Sequence, residues 1–390
     1  MGEPCQGGVN MKLIYIFDGR IPTQRAHGLH IVKMCEALGR IVDVTLVVPG
    51  KATRDIEKVF TFYGLEKTFS VHYIPTRDFI SWGRIGYWIN QLAFTRSLFS
   101  AGVLPKPLEC RILTRDGISG WVLARRGYRV FYDMHGVPHR FMALWRVGMR
   151  AMQGIVVTNR WKVNFCKQEL GLHQERFLVA PNAFDPRSFS GLPEKEELRK
   201  RLNLPLGPII AYTGHLYDWK GAEVLAQAAK LLSGVTVLFV GGTEQDVARF
   251  RKKHEHIANI LLLGFKPYTL VPHYLKAVDV LVLPNSNVSR SRRLEGYSKF
   301  ETSPIKLFEY MASGRPIVAS DMPSIREILD EKSAVFVTPD DPEALARGIQ
   351  RVLNKPVFAA QLGESAKEAV KKHTWDNRAV SVYNFINSHS

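Results

Sequence analysis

Two glutamates, Glu301 and Glu309, stand on either side of a predicted helix start in the second half of the chain. Ser303 and Pro304 predict that start, with Ser as the helix cap and Pro in the first turn. The unpaired backbone N–H groups and the helix dipole make such an end attractive to phosphate. Carboxylates repel phosphate but accept hydrogen bonds from neighbouring sugar hydroxyl groups. The segment therefore suits a nucleotide sugar, although the same spacing also fits two solvated acids on a surface helix.

Two glycine-containing loops follow predicted strands in the same half of the chain. Gly214 and His215 begin the first loop and Lys220 lies near its end, so the loop offers glycine backbone and two side chains that can carry positive charge. Gly241 and Gly242 repeat the strand-to-glycine turn. One Gly-Gly turn is weak evidence, but two such turns near the two glutamates favour a ligand-binding edge.

The first half of the chain offers fewer candidates. Gly28 comes after the first predicted strand, and His135 follows a later strand beside Gly136. A single histidine is more often structural than catalytic. His135 is the stronger candidate of the first half, because it stands at a strand end, where ligands of parallel sheets bind.

Strand and helix patterns alternate along the chain in the order that is typical of parallel α/β folds. After a polar stretch at residues 191–201 the alternation starts again, which predicts two Rossmann-like, doubly wound domains that face a central cleft. The predicted domains are residues 1–186, of which 1–10 are a tail, and residues 187–375. The predicted strands are 13–17, 42–48, 110–114, 129–132, 155–158, 209–213, 235–240, 260–263, 280–283 and 317–319.

The composition is that of an ordinary globular chain. Of the 390 residues, 46% are hydrophobic and 23% are charged, which is sufficient for two buried cores. No apolar run approaches the roughly 18 residues of a membrane span. The first residues lack the charged-then-apolar pattern of a secretory signal. We therefore expect a cytoplasmic protein.

The sequence lacks the usual signals of metal binding. The four cysteines, Cys5, Cys35, Cys110 and Cys166, are scattered without a Cys-x-x-Cys pair. Neither an Asp-x-Asp run at a strand end nor a His-Glu-x-x-His motif occurs. We therefore expect no divalent metal and no other cofactor.

The chain is basic, with a net charge of +17, and its first half carries most of the excess. Such a charge indicates an anionic partner, either nucleic acid or an acidic membrane surface, although dispersed charge also serves solubility alone. Residues 81–94 and 140–152 mix arginine with aromatic and other apolar residues at helical spacing. This pattern suits an anionic membrane interface, and it equally fits helices that pack on a sheet with their arginines in solvent.

Together these segments resemble a GT-B glycosyltransferase of the retaining family 4 type, from Met11 to the end of the chain. Seven segments occur in the family's order. The last is similar to the family's final helix, which places residues from about 376 to 390 on the first domain. The segments are Pro22–His30, Asp133–His135, Pro181–Phe189, Gly214–Gly221, Ala277–Pro284, Glu301–Gly314 and Thr374–Ala379.

The resemblance implies a role for each candidate. Glu309 would bind the ribose diol of the donor nucleotide, Glu301 would contact the transferred sugar, and Lys220 would pair with the diphosphate. Gly28 would let the backbone of the first, acceptor-side domain approach that diphosphate, and His135 would lie near the sugar and the attacking hydroxyl group. His135, Glu301 and Lys220 are the expected catalytic residues. The other expected donor-binding residues are Gly214, His215, Gly241, Gly242, Ser303, Ile305, Lys306 and Leu307.

Two positions depart from the family pattern. His215 stands where the family usually has arginine, which would make the diphosphate clamp weaker and pH-sensitive, since histidine titrates near neutrality. Residues 302–304, Thr-Ser-Pro, replace the usual Gly-Phe-Gly run, and Pro304 has no N–H group to donate.

The expected reaction moves a hexose-type sugar, with retention, from a UDP- or GDP-sugar to a glycan or lipid-linked glycan acceptor. Without a metal motif, Lys220 and the helix N-terminus must offset the charge that builds up on the diphosphate. No carboxylate of the motif is a convincing nucleophile. Front-face attack, in which the donor phosphate accepts the proton of the acceptor, is therefore favoured, as the family implies. Peripheral attachment to the inner face of the membrane would suit a lipid-linked acceptor.

Two alternatives stay open. A nucleotide-sugar epimerase or hydrolase with the GT-B fold would use the same donor site without a glycan acceptor. A basic nucleic-acid-binding protein is less favoured, because the sequence has no recognition helix, RNP-like aromatic pair or Cys/His finger.

Overall fold

The computed structural model describes residues 11–51, 55–76, 83–287 and 297–389. The chain divides into two compact units. They are Met1–Pro181 together with Trp375–Ser390, and Asn182–Thr374.

The division lies five residues before the predicted boundary of 186/187. The reason is that the connecting segment bonds within the second unit. The Asn182 N–H group donates to the Ser303 hydroxyl group at 3.2 Å, and the Phe184 N–H group donates to the His373 carbonyl oxygen at 3.1 Å.

The first unit is an α/β domain. Its strands are β1 (Lys12–Ile16), β2 (Val44–Pro49), β3 (Ser70–Ile74), β4 (Cys110–Thr114), β5 (Arg129–Met134), β6 (Gly154–Val157) and β7 (Phe177–Val179). Its helices before the connection are α1 (Ala26–Leu38), α2 (Glu57–Tyr63), α3 (Gly83–Ser100), α4 (Gly117–Arg125), α5 (Met142–Ala151) and α6 (Arg160–Leu170).

These strands form one parallel sheet in the order β3-β2-β1-β4-β5-β6-β7. The order reverses between β1 and β4, which pair from Lys12–Cys110 to Ile16–Thr114. Leu13 to Ile16 are all buried. Such a continuous apolar run is typical of a parallel strand that helices cover on both faces.

The second unit repeats this architecture. Its strands are β8 (Ile209–Thr213), β9 (Thr236–Val240), β10 (Ile260–Gly264), β11 (Val280–Leu283), β12 (Ile317–Ser320) and β13 (Val335–Val337). Its helices are α7 (Lys195–Arg201), α8 (Ala222–Ala229), α9 (Glu244–His254), α10 (Val271–Ala277), α11 (Ile305–Ser313), α12 (Pro323–Arg326), α13 (Pro342–Leu353) and α14 (Pro356–Val370).

The second sheet is also parallel, in the order β10-β9-β8-β11-β12-β13, and it reverses between β8 and β11. Two apolar clusters, one on each face, form its core. The prediction of two Rossmann-like, doubly wound domains is therefore confirmed.

The last helix, α15 (Trp375–Ser388), belongs to the first unit, where it packs against α1. Ala379, Val382 and Ile386 are fully buried on one face of α15, at the spacing of an amphipathic helix. Across the described part of the chain, no helix is both long and apolar enough to cross a membrane.

Candidate functional site

The switch point of the second sheet, between β8 and β11, carries the first of the predicted glycine loops. Ligands of such sheets bind outside the carboxyl ends of the strands at this point. The loop that starts at Gly214 packs closely on the loop after β11, because a Cβ atom at Gly221 would lie 1.6 Å from the Pro284 carbonyl oxygen. The Ser286 N–H group also donates to the Trp219 carbonyl oxygen at 3.1 Å. The two loops are therefore joined through their backbones.

Gly214 and Gly241 bring the ends of β8 and β9 together. The Gly214 N–H group donates to the Val240 carbonyl oxygen at 2.8 Å, and a Cβ atom at Gly241 would lie 2.6 Å from the Gly214 carbonyl oxygen. Both residues have φ of 120°, and Gly242 has φ of 88°. These are left-handed conformations that favour glycine. The backbone conformation at this edge of the sheet therefore requires glycine at the predicted turns.

The helix start between the two glutamates differs from the prediction. Helix α11 begins at Ile305, with Pro304 at the N-cap and no side-chain cap. Ser303 is not the cap, because its hydroxyl group accepts the Asn182 N–H group and its carbonyl group accepts the Asn182 side-chain amide. The first N–H groups of the helix, at Ile305 and Lys306, have no acceptor within it.

Leu307 is a core residue. Its side chain is fully buried in the apolar cluster beneath α11, and its N–H group donates to the Pro304 carbonyl oxygen at 3.1 Å. These contacts give Leu307 a structural role within the predicted donor-binding segment.

Glu309 and Glu301 are both buried, with exposed fractions of 9% and 2%. The interpretation of two solvated acids on a surface helix is therefore wrong. The Tyr268 hydroxyl group donates to Glu309 Oε1 at 2.7 Å. Tyr268 was not predicted from the sequence, because it lies 41 residues from Glu309 and belongs to no recognisable motif. Glu301 ends the π-helix Tyr297–Glu301, which packs against α12.

Lys220 ends a 3-10 helix at Asp218–Lys220 in the Gly214 loop. Its amine lies 5.1 Å from the ring centroid of Trp219 and 5.5 Å from that of Tyr217. Burial lowers the pKa of Lys220 to about 8. The His215 ring stacks on Tyr217, with centroids 4.9 Å apart and 3° between the planes.

Lys306 lies at the N-terminal end of α11, and its amine is 3.7 Å from the ring centroid of Tyr212. Burial, and then the charge of Lys220, lower the pKa of Lys306 well below its ordinary value, while Glu309 opposes this shift. A Cβ atom at Gly214 would lie 3.4 Å from the Lys306 amine. The structure therefore brings the Lys306 amine to the Gly214 turn, within range of the charges of Lys220 and Glu309.

In the first unit, His135 follows β5 and belongs to a hydrogen-bond network around Asp133. Nε2 of His135 lies 3.2 Å from Asp133 Oδ2, and Nε2 of His30 lies 3.1 Å from the same oxygen. The Tyr15 hydroxyl group also donates to it, at 2.5 Å. The Arg378 guanidinium group donates to Oδ1 at 3.2 Å. The sequence predicted a role for His135 but not for Tyr15, His30 or Arg378, which reach Asp133 from β1, α1 and α15.

The environment decides the charges in this network. Burial would raise the pKa of Asp133, but His135, Arg378 and the hydrogen bonds from the imidazoles outweigh it and hold that pKa well below its ordinary value. Burial and the neighbouring Arg115 lower the pKa of His135 well below its ordinary value. Burial and Arg378 lower the pKa of His30 to about 4. Near neutral pH, Asp133 is therefore a carboxylate and both imidazoles are neutral.

One group among the described residues has spacing that a metal ion could use. Ligand atoms of His30, Asp133 and His135 lie within 4.8 Å of one another. However, Asp133 Oδ2 already accepts from Tyr15, and Arg378 binds Oδ1. The guanidinium charge at this distance repels a cation. These residues fit an internal hydrogen-bond network better than a metal site, and the expected lack of a metal stays a prediction.

Two acids at the switch point of the first sheet, the partly buried Asp18 and the buried Asp116, were not predicted as site residues from the sequence. Asp18 follows β1 and accepts a hydrogen bond from the Gln91 amide. Asp116 follows β4 and caps α4 by accepting the Ile118 N–H group at 3.0 Å. Burial, and then the charge of Asp18, raise the pKa of Asp116 to about 7. Asp116 can therefore hold a proton near neutral pH, at a sheet edge where ligands bind.

Gly28 lies inside α1, where a side chain would clash. A Cβ atom there would lie 2.4 Å from Thr23 Cγ2 and 2.5 Å from the Tyr63 hydroxyl group. That hydroxyl group accepts the Thr23 N–H group and donates to the Thr23 carbonyl oxygen, each at 2.8 Å. Local packing therefore requires glycine, and the approach of Gly28 to a diphosphate stays a prediction.

The second unit matches a known protein family, and the chain has distant curated relatives. Residues 194–369 match the Glycosyl transferases group 1 family. The chain is 27% identical over 225 residues to the D-inositol 3-phosphate glycosyltransferase of Corynebacterium urealyticum. The aligned region covers 53% of this chain and 50% of that protein. It is 26% identical over 190 residues to the amylovoran biosynthesis glycosyltransferase AmsK of Erwinia amylovora, and this region covers 47% of this chain and 43% of AmsK. The chain thus spans about half the length of the curated relatives it matches.

Solved structures match nearly the whole chain. Sucrose-phosphate synthase from Thermosynechococcus elongatus matches with a TM-score of 0.78 at 18% identity, over 97% of this chain and 100% of that one. Anabaena Alr3699/HepE, solved in complex with UDP-glucose, matches with a TM-score of 0.74 at 16% identity, over the same shares. At these identities the likeness shows the fold alone. The chain therefore has the GT-B fold, and residues 194–369 of its second unit form a Glycosyl transferases group 1 domain.

Proposed function

We propose that this protein is a retaining glycosyltransferase of the family 4 type, which moves a hexose-type sugar from a UDP- or GDP-sugar to a glycan or lipid-linked glycan. The observation that carries the proposal is the carboxyl edge of the second sheet, where the Gly214 turn, two lysines and the buried Glu309 come together. The match of this domain to the Glycosyl transferases group 1 family supports the activity. The complex of HepE with UDP-glucose supports the donor class.

In this proposal, carboxylates bind the hydroxyl groups of the donor. Glu309 binds the ribose diol, and the hydrogen bond from Tyr268 to Glu309 Oε1 orients the carboxylate for it. Glu301, which ends the π-helix before α11, binds hydroxyl groups of the transferred sugar. Both acids are buried, which strengthens such hydrogen bonds because water competes less for them.

Positive charge drives departure of the nucleotide diphosphate. Negative charge builds up on the leaving diphosphate, and groups that face it in advance stabilise the transition state. Lys220 and the N-terminal end of α11 supply this charge without a divalent metal. The acceptor hydroxyl group attacks from the front face, and the departing phosphate takes its proton. His135, held by Asp133 as a neutral imidazole, orients the acceptor hydroxyl group.

Thermal stabilisation by nucleotide sugars tests the donor site. We expect a UDP- or GDP-sugar to raise the melting temperature in EDTA, whereas ADP- and dTDP-sugars do not. Glu309→Ala and Lys220→Ala should abolish this effect. The matched controls Glu343→Ala and Lys332→Ala, on exposed residues of the same domain, should retain it. No stabilisation of the wild-type protein by any donor would contradict the proposed donor site.

The product of the reaction separates the transferase from its closest alternative. We expect release of UDP or GDP from the donor to depend on added glycan or lipid-linked glycan acceptor. Release of nucleotide at the same rate without any acceptor would favour the epimerase or hydrolase. NMR of the product anomeric centre reports the stereochemistry, and an inverted linkage would contradict the retaining mechanism.

An exposed apolar surface in the first unit supports an anionic membrane as a partner. We call it the α3–α5 surface, and it comprises Trp88, Leu92, Phe141, Leu144 and Val147, all exposed. The rings of Trp88 and Phe141 lie 6.4 Å apart and join the two helices. Arg146 and Arg150 are exposed on the same helix, α5. Exposed apolar residues beside arginine suit an interface with anionic lipid, at which the protein would be peripheral.

Vesicle flotation tests this partner. We expect the protein to bind vesicles that contain phosphatidylglycerol and not vesicles of phosphatidylcholine alone. Leu144→Glu with Val147→Glu should abolish binding, whereas Leu206→Glu, at an exposed leucine of the second unit, should not. Equal binding of all three proteins would contradict a role for the α3–α5 surface.

A further inference from the structure

Lys306 carries a buried amine that has no hydrogen-bond partner among the described residues. Its side chain is nine-tenths buried, with an exposed fraction of 9%. Its Nζ atom has no hydrogen-bond partner in the part of the chain that the structure describes. The nearest aromatic contact is the Tyr212 ring, 3.7 Å from Nζ to centroid. A buried amine without a partner is costly, so its presence needs a reason other than stability.

The groups around Lys306 do not neutralise it. Glu309 lies three residues further along α11, and its Oε1 atom already accepts the Tyr268 hydroxyl group. Lys220 adds a second positive charge and lowers the pKa of Lys306, whereas Glu309 alone raises it. The Tyr212 ring, which the amine faces at 3.7 Å, is neutral because burial raises the pKa of its hydroxyl group. The cluster therefore has an excess of positive charge when both amines are protonated.

The position of the amine is that of an anion-binding group. A Cβ atom at Gly214 would lie 3.4 Å from Lys306 Nζ, so the amine lies against the glycine turn. Lys306 is also the second residue of α11, a helix of nine residues whose first N–H groups face outward. The turn, the helix end and the unpartnered amine converge on one place, which suits phosphate.

We propose that Lys306 is the second cation of the donor site and binds the diphosphate of the nucleotide sugar together with Lys220. This inference rests on the proposed function, because the ligand is the diphosphate of the same donor. Lys306 thereby distinguishes nucleoside diphosphates from nucleosides, while Glu309 recognises the ribose.

Binding of the diphosphate should take up a proton. In the free protein, burial and Lys220 hold the pKa of Lys306 well below its ordinary value. A bound diphosphate raises that pKa by its negative charge, so the complex holds a proton that the free amine has lost. By linkage, affinity then falls as the pH rises from the pKa of the free amine towards that of the complex.

Calorimetry tests both parts of the inference. UDP, GDP, uridine and inorganic pyrophosphate are titrated at several pH values in buffers of different ionisation enthalpy. For the wild-type protein we expect proton uptake with UDP or GDP and none with uridine. Lys306→Met should weaken diphosphate binding about 10- to 100-fold, as expected for loss of a hydrogen bond to a charged group, and should remove the proton uptake. Lys306→Arg should retain most of the affinity, and Lys230→Met, at an exposed lysine, should match the wild-type protein.

The outcomes separate the inference from the proposed function. If UDP or GDP binds the wild-type protein and Lys306→Met equally well, the inference is overturned and the donor site stands. If pyrophosphate binds the wild-type protein but UDP and GDP do not, and Lys306→Met abolishes pyrophosphate binding, the anion site is supported. The proposed function, with a nucleotide sugar as donor, is then overturned. If neither pyrophosphate nor a nucleoside diphosphate binds the wild-type protein, both are overturned. Lys306→Met should melt no lower than the wild-type protein, because it removes an unpartnered buried amine, and this excludes misfolding as the cause of lost binding.

Discussion

Arg378 and Asp133 are 245 residues apart in the chain and form a buried ion pair, with Nη2 3.2 Å from Oδ1. Arg378 Nε also donates to the carbonyl oxygens of Ala180 and Pro181, at 3.3 and 3.2 Å. One guanidinium group of α15 therefore holds the loop after β7 and the carboxylate that carries His135. The last helix thus takes part in the polar centre of the first unit.

Loss of this ion pair should destabilise the first unit. We expect Arg378→Met to lower the free energy of unfolding by about 3–5 kcal/mol, because Asp133 is left as an unpaired buried charge. Urea unfolding measures the change. Arg347→Met, which breaks an exposed pair with Glu343 in the second unit, is the control and should have little effect. A double variant, Arg378→Met with Asp133→Asn, should recover part of the loss, and simple additivity of the two changes would argue against the pairing.

Gly221 and Gly234 provide a matched test of the joined loops. Both have φ of 73°, but a Cβ atom at Gly221 would lie 1.6 Å from the Pro284 carbonyl oxygen, whereas nothing lies within 4 Å at Gly234. We expect Gly234→Ala to cost about 1 kcal/mol, for the left-handed backbone alone. Gly221→Ala should cost clearly more and should weaken binding of UDP or GDP. Equal melting temperatures of the two variants would show that the contact with Pro284 does not constrain the loop.

Tyr268 should matter for nucleotide binding through Glu309. We expect Tyr268→Phe to weaken binding of UDP or GDP about fivefold, because Glu309 loses the hydrogen bond that orients it. Binding of inorganic pyrophosphate should be unchanged, since that ligand has no ribose. Titration calorimetry measures both ligands, with Tyr383→Phe in α15 as the control. A loss of pyrophosphate affinity equal to that of the nucleotide would contradict the assignment of Glu309 to the ribose.

Asp116 should make stability depend on pH. Its pKa in the folded protein is about 7, above the ordinary value, so between about pH 4 and 7 the folded state binds more protons than the unfolded state. Stability therefore falls as the pH rises through this window and levels off above it. Asp116→Asn should remove this decline and can still accept the Ile118 N–H group as a helix cap. Urea midpoints from pH 4 to 8 measure the effect, and parallel curves for the two proteins would contradict it.

We expect the purified protein to contain no stoichiometric metal. Although His30, Asp133 and His135 are close enough to bind one, the Arg378 guanidinium group already pairs with the carboxylate. Elemental analysis after dialysis measures the metal content, and sugar transfer should persist in EDTA. A metal present at one equivalent and lost in His30→Gln would show that the network is a metal site after all.

The sequence predicted most of the two sheets. Strands β4, β8 and β11 have the predicted bounds, and seven others agree within a few residues. The missed strands, β3, β7 and β13, all lie at sheet edges. Edge strands are covered less completely, so they need no long apolar run. β7 and β13 have only three residues each, which is too short for a periodic pattern to show.

The part of the site that could be predicted is the part where the backbone conformation requires a particular residue type. Gly214 and Gly241 have φ of 120°, a conformation that favours glycine, so this requirement is visible in the sequence. The partners of the charged residues were not predictable, because Tyr268 meets Glu309, and Tyr15, His30 and Arg378 meet Asp133, only through strand order and helix packing. The cap at Ser303 was predicted wrongly for the same reason. Its hydroxyl group accepts the N–H group of Asn182, which is distant in sequence.

The sequence by itself thus determined the alternation of strands and helices, the glycine turns and the types of side chain at the strand ends. These depend on local conformation and on burial patterns that repeat along the chain. Only the tertiary structure decided which acid is paired, which lysine has no hydrogen-bond partner in the described part of the chain, and which hydroxyl group binds Glu309. Those properties depend on distances between groups far apart in sequence and on burial in a shared interior, where the free energy of a charge depends on its neighbours.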